Sequence, residues 1–411
     1  LAAAVFSHTL ANGMTLLAER MDHVRSAAVN FLIPAGCVYD PPKWAGIGTL
    51  LSDMLSRGAG SRNSRELTLA LDNLGLDRSE AVGSMHMRLS GATLARNLPQ
   101  VLEIYADIVQ RPHLPEDELE PVQMLALQDL QALEDEPRQK VLLELRRRHY
   151  PTPLSNDRHG TAEGIKTVTP ADVRNHYRKY FVPNETLLSV AGNIEWEPLK
   201  VQVEKLFGDW KKGEPPTFPL GQTSGGKPHL QKDTTQTQIG IAYPSVPFGH
   251  DDYYAALGAV NVLSGGMSSR LFTHVREERG LCYAVWASYA TFKDRGSVLA
   301  YAGTTTERAQ ETFDVTMREL KRLVDGIEAD ELDRVKAGLK ASQIMAEEST
   351  TSRAGTIASD WYYLGRVRTF DEIQAAIDGL TPAKIVDHLK RFPAKDFTIV
   401  TLGQRALEIK N

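Results

Sequence analysis

Arg276 and Tyr283 stand seven residues apart on either side of Gly280, in the segment GGMSSRLFTHVREERGLCYAV that covers residues 265–285. An arginine is a permanent planar donor, and a tyrosine hydroxyl can donate to a developing oxyanion, so the pair could grip a peptide and its tetrahedral intermediate. The plainer reading of the same residues is a surface ion pair of Arg276 with Glu277 or Glu278 and a core position for Tyr283. A second set is Thr49, Ser52 and Asp53, which share one helical face at i, i+3 and i+4. Two ligands and a base at that spacing would make a metallopeptidase centre if they were His, Glu and His.

The elements that must carry these residues follow from the pattern. Gly265 and Gly266 permit a tight turn. Helical spacing from Arg270 to Arg279 places Leu271, Phe272 and Val275 on one apolar face, and Gly280 is a good stop because glycine takes the left-handed C′ conformation cheaply. A strand from Leu281 to Ser288 then predicts Leu281, Tyr283, Val285 and Ala287 on one face. The helix over 45–56 has an apolar stripe of Ile47, Leu50, Leu51, Met54 and Leu55 opposite Thr49, Ser52 and Asp53. Upstream, Asn12-Gly13 predicts a hairpin turn, and a strand follows from about Ala27 to Ile33. Ser64 is the expected cap of the next helix. Two strands are expected within 77–94, and helices over 98–112, 114–137 and 138–150.

Composition excludes several classes. The chain has 411 residues, 42% hydrophobic and 24% charged, with a net charge of −5 and both signs interspersed. No basic block points to nucleic acid, and no apolar run approaches the ~20 residues that span a bilayer. Two cysteines, Cys37 and Cys282, make neither a disulfide framework nor a cysteine zinc site. The turn LSGGMSSR lacks the ending of a phosphate-binding loop. The small residues Ala2, Ala3 and Ala4 after Leu1 raise the expectation of an exported, periplasmic protein.

The chain repeats itself. Asp117-Glu118-Leu119 is echoed by Asp330-Glu331-Leu332, and Thr169-Pro170-Ala171 by Thr381-Pro382-Ala383. His176 is echoed by His388, and Gly192 by Gly403, all at spacings of 211 to 213 residues. Four echoes at one offset mean duplication. The expected organisation is α+β, with two α/β-sandwich halves of mostly antiparallel sheet flanked by helices. They cover 1–212 and 229–411, joined by a Gly-, Pro- and Ser-rich linker at 213–228. A histidine repeated in both halves at a packing position reads as structural.

With these residues in place, the sequence resembles the pitrilysin, insulinase and mitochondrial processing peptidase family of zinc peptidases, the inverted zincins with an H-x-x-E-H helix. The resemblance rests on the duplicated halves, the linker, the first helix and the segment ending in Arg276 and Tyr283. Thr49 and Asp53 fall where the family has its two histidines, Ser52 falls on its catalytic Glu, and Asp129 lies near its third ligand. Threonine is a poor zinc ligand and serine no general base at neutral pH, while Asp53 and Asp129 could hold a cation only weakly. The resemblance therefore implies a chain with no cofactor of its own. It would be the non-metal subunit of a heterodimeric zinc peptidase, supplying Arg276 and Tyr283 to a homologous H-x-x-E-H partner that brings the zinc. The substrate would be a peptide or unfolded protein added as a strand to a sheet edge. The short Gly-rich turn points to a bacterial member. The alternative is a catalytically inactive scaffold or core protein of a larger assembly.

Overall fold

The computed structural model describes residues 5–409; Leu1–Ala4, on which the expectation of export rests, and residues 410–411 lie outside the described residues. The chain builds two compact units, and neither is one continuous segment. The first takes Leu1–Ala132, Thr152–Gly221 and Ala346–Val367; the second takes Leu133–Pro151, Gln222–Met345 and Arg368–Asn411.

In the first unit, β1 (Val5–Thr9) and β2 (Thr15–Arg20) form a hairpin whose turn uses Gly13 at φ 92°. β3 (Ser26–Ile33) follows, then α1 (Ile47–Leu55). A short ribbon of β4 (Gly58–Ala59) and β5 (Arg62–Asn63) leads into α2 (Ser64–Asn73). The cap of α2 is Asn63 rather than Ser64. Its side chain accepts from the Glu66 amide, and the Glu66 carboxylate accepts from the Asn63 amide, so two otherwise orphaned donors are satisfied one residue earlier. β6 (Asp77–Val82), β7 (Met87–Leu94), α3 (Leu98–Gln110) and α4 (Leu119–Glu134) come next. The following helix, α5 (Pro137–His149), belongs to the second unit. The chain then returns through α6 (Ala162–Thr167), α7 (Pro170–Tyr180), β8 (Leu187–Gly192) and α8 (Trp196–Phe207). The sheet order is β1-β2-β8-β3-β7-β6, antiparallel except between β2 and β8.

The second unit contains β9 (His229–Gln231), β10 (Gln236–Ser245), α9 (Tyr253–Ser264), β11 (Cys282–Thr291), β12 (Gly296–Thr305), α10 (Ala309–Arg322) and α11 (Ala329–Glu347). Next comes α12 (Thr350–Leu364), which belongs to the first unit. α13 (Phe370–Asp378), α14 (Pro382–Arg391) and β13 (Thr398–Gly403) complete the second. Its sheet runs β11-β12-β10-β13-β9, with only β13 and β9 parallel. Strand for strand this repeats β6-β7-β3-β8-β2, so the two-halved α+β architecture implied by the repeat is the one observed.

The halves trade one helix each. α5 packs on β10 and β13 through Val141 and Leu145, beside Ala242, Val400 and Leu402. Gly240 leaves room there, since a Cβ on it would come within 3.2 Å of Leu145 Cδ2. α12 packs on β3 and β8 with small residues instead: Ala354 lies beside Ala28 and Ala191, and Ala358 lies between Leu32 and Leu187. α5 thus brings branched, bulky side chains to its sheet, whereas α12 brings alanines.

The repeated histidines are structural and each faces an aspartate. His176 on α7 is buried with its Nε2 3.7 Å from Asp40, and His388 on α14 has its Nδ1 3.3 Å from Asp252. Asp40 accepts hydrogen bonds from the Gly46 and Gly48 amides at 3.0 and 3.2 Å, which fixes the start of α1. Burial pushes the Asp40 carboxyl up to about 7 and the His176 imidazole down to about 3.

Candidate functional site

The helix that would carry a metal is α1, and its polar face does not fit one. The Thr49 hydroxyl donates to the Arg158 carbonyl at 2.6 Å, so it is engaged in holding a loop. Ser52 is buried and Asp53 is exposed. Loss of hydration raises the Asp53 carboxyl above the ordinary carboxylate range. Asp129 and Glu80 push it further, against the opposing charges of Arg57 and Arg158. Asp129 thus lies within electrostatic reach of Asp53. Among the described residues, however, no group of three His, Cys, Asp or Glu side chains is arranged to hold a metal ion. Zinc does not fit these residues: no imidazole is offered, and one candidate donor is already spent on a carbonyl.

The Arg276–Tyr283 segment is built differently from the regular helix and strand that periodicity predicts. Residues Phe272–Glu277 form a π-helical turn. Its start is fixed by Arg270, whose guanidinium binds Glu331 twice at 2.7 Å and the Gly326 carbonyl at 2.7 Å in a half-buried setting. Leu271 and Val275 are buried, as the apolar stripe requires, while Phe272 is half-buried beneath Arg276, whose guanidinium carbon stands 4.9 Å from the ring centroid. Gly280 ends the turn at φ 57°, the left-handed conformation expected of it. Two backbone bonds close it: the Gly280 amide to the Arg276 carbonyl at 3.0 Å, and the Leu281 amide to the Val275 carbonyl at 3.1 Å.

The strand that follows opens with a β-bulge. Cys282 pairs with Thr304 and Ala284 with Gly303, which leaves Tyr283 as the extra, unpaired residue. The bulge breaks the expected alternation. Val285 and Ala287 face the main core of the second unit and Ala284 and Trp286 the opposite cluster, but Tyr283 joins neither and is 79% exposed. The core reading of Tyr283 thus fails, because one inserted residue resets a period of two. The ion-pair reading of Arg276 fails as well. Glu278 is taken by His274 at 2.9 Å and Arg279 at 3.1 Å, and among the described residues Arg276 enters no ion pair. Burial holds the Cys282 thiol up at about 11, and the nearby Arg276 charge opposes that rise. The guanidinium therefore lies close to the residue that immediately precedes Tyr283. The turn presents an unpaired cation and an exposed phenol from one rigid backbone segment.

β11 is also an edge strand, and across all ten residues, CYAVWASYAT, it carries no charge. Its counterpart edge in the first unit, β6, reads DRSEAV, with Asp77, Arg78 and Glu80. Charged edges resist pairing with another chain and uncharged ones invite it. Sequence reasoning marked the two side chains but missed this contrast, whose signal is the missing charge in an edge strand.

The duplicated α+β fold, the polar face of α1 and the presented Arg–Tyr turn together mark a chain of peptidase-family architecture. The insulinase family of peptidases, family M16, matches residues 15–162, and the peptidase M16 inactive domain matches residues 167–339; the chain belongs to this family. It is 27% identical over 401 residues to YmxG of Bacillus subtilis, described as a zinc protease, with 96% of this chain and 97% of that one covered. A zinc protease of Rickettsia bellii is 26% identical over 401 residues, covering 97% of both. The fold is shared with the peptidase M16 inactive domain of Pseudomonas fluorescens, at TM-score 0.90, 20% identity and 99% coverage of both chains. It is shared equally with a protease from Helicobacter pylori, at TM-score 0.89, 20% identity, and coverage of 98% and 100%.

Proposed function

We propose that this chain is the non-metal-binding subunit of a two-chain zinc peptidase. In this reading a homologous H-x-x-E-H partner holds the zinc, and this chain contributes Arg276 and Tyr283. The observation that carries it is the asymmetry between the two candidate sites. The metal face of α1 has no ligand set, whereas Arg276 and Tyr283 stand unpaired and exposed on a turn held by backbone hydrogen bonds. Arg276 would bind a peptide carbonyl or carboxylate of the substrate, and the Tyr283 hydroxyl would donate to the oxygen that gains charge when the peptide bond is attacked. The uncharged edge β11 offers backbone donors and acceptors to an extended peptide, which suits substrates that vary in sequence. Export of the pair to the periplasm belongs to the same proposal and is checked by cell fractionation.

The test is reconstitution. The chain alone should not cleave a fluorogenic unfolded peptide, and mixing with an H-x-x-E-H homologue should restore cleavage. Arg276→Ala or Tyr283→Phe should lower turnover of the reconstituted enzyme by about 10²–10³, the usual worth of an oxyanion donor, without dissolving the dimer. Full turnover in both variants would remove the catalytic role and leave a scaffold.

A further inference from the structure

The bulge that presents Tyr283 is held from behind by side chains that the catalytic reading does not use. The carbonyls of Gly280 and Leu281, the two residues before Cys282, each accept a hydrogen bond from a side chain near the end of β12 or the start of α10. Arg308 Nη1 donates to the Gly280 carbonyl. Thr304 Oγ1 donates to the Leu281 carbonyl at 2.6 Å. Thr304 is buried, and its oxygen accepts from the fully buried Thr312 hydroxyl at 3.0 Å; the same hydroxyl lies 2.9 Å from the Arg308 carbonyl, so its single proton is shared between the two acceptors. Arg308 thus holds Gly280 with its side chain, and its carbonyl is the second acceptor of the Thr312 proton. The Thr304 backbone pairs with Cys282 directly at the bulge.

We infer that Thr304, Thr312 and Arg308 are positioning residues that fix the backbone between Arg276 and Tyr283 and so set the aim of both side chains. The inference rests on the proposed role of that pair. A bulge is a locally disrupted ladder, so the residues around it lack the regular cross-strand bonds that hold the rest of β11. Side-chain donors supply the missing restraint. A hydroxyl relay with buried members tolerates little change, because a lost donor strands a buried carbonyl.

Two readouts separate this inference from its premise. In a Cys37→Ser background, Cys282 is the chain's one thiol, and it is buried next to the bulge. Its rate of reaction with a maleimide reports whether the bulge is held, in the purified chain without any partner. Thr304→Val, which keeps shape and removes the hydroxyl, should raise that rate at least tenfold and lower kcat of the reconstituted enzyme at least tenfold with little change in KM. Thr304→Ser should restore both. Arg308→Ala removes an exposed side chain that the core does not need, and it should move both readouts in the same direction if Thr304→Val fails to fold. Tyr283→Phe should lower kcat with unchanged labelling. Unchanged labelling and kcat in Thr304→Val and Arg308→Ala, alongside a slow Tyr283→Phe, would overturn the inference and leave its premise intact. Faster labelling with full turnover in Tyr283→Phe and Arg276→Ala would mean the relay holds a turn that does no chemistry, which also overturns a positioning role.

Discussion

Arg353 on α12 grips Glu19 on β2 across 334 residues of chain. Nε donates to Oε1 at 2.9 Å and Nη2 to Oε2 at 2.7 Å, with both side chains buried. A third bond runs from Arg353 Nη1 to Glu347 at 2.6 Å. Here the second half's helix meets the first unit's sheet. Arg353→Ala would leave Glu19 charged and buried without its partner, at a cost of about 3–5 kcal/mol. The double variant Glu19→Leu, Arg353→Met removes both charges and should recover most of that loss. Urea denaturation of the wild type and the two variants measures this, and an equal loss in the single and double variants would contradict it.

The Asp40–His176 pair gives a pH signature with opposite signs in its two members. Asp40 is raised from 3.8 to about 7, so the folded state keeps a proton that the unfolded chain releases. Its contribution is complete below about pH 4 and is lost as pH rises to about 7. His176 is lowered from 6.5 to about 3, so its contribution is complete above pH 6.5 and is lost as pH falls to about 3. Between about pH 4 and 6.5 the two slopes cancel. Asp40→Asn should therefore make stability fall on acidification in that window, by up to ~1.4 kcal/mol per pH unit relative to wild type. His176→Gln should make it fall on raising the pH. The check is the urea midpoint at four pH values, and variants that both keep the wild-type slope would rule the pair out as proton partners.

Zinc content discriminates between a lone enzyme and a partner-dependent one. After exhaustive dialysis the chain alone should hold far less than one zinc per molecule by elemental analysis, since α1 offers no imidazole and Thr49 is bound to a carbonyl. One tightly held zinc per chain would contradict the geometry of α1 and redirect attention to Asp53 and Asp129.

The exchanged helix α5 should be essential to the second unit although it precedes that unit's own strands. Leu145 is 1% exposed and faces Gly240. Leu145→Ala should cost about 2–5 kcal/mol. Gly240→Ala places a methyl 3.2 Å from the Leu145 side chain and should cost about 1–3 kcal/mol by overpacking. Combined, the added methyl keeps only ordinary contacts, with the Cβ of residue 145 at 3.6 Å and the Val141 carbonyl at 3.7 Å, so the double variant should be more stable than the sum of the two predicts. Strict additivity by thermal denaturation would show that the two residues do not share the contact.

Sequence alone determined the duplication and the α+β class, and it marked the polar face of Thr49, Ser52 and Asp53 and the pair Arg276 and Tyr283. Each of these is written in residue type and spacing: four echoes at one offset, a polar helical face reading Thr49, Ser52 and Asp53, a glycine stop at Gly280. Two features were decided only by tertiary structure. One is the bulge, because a single extra residue in a strand leaves no compositional trace, yet it turns Tyr283 out of a face that alternation assigns to the core. The other is the exchange of α5 and α12. The apolar stripe of α5, Val141 and Leu145, declares that the helix must be buried but not against which sheet. That choice was made by Gly240 and Ala242, about a hundred residues further along, whose small side chains leave the space that the helix fills.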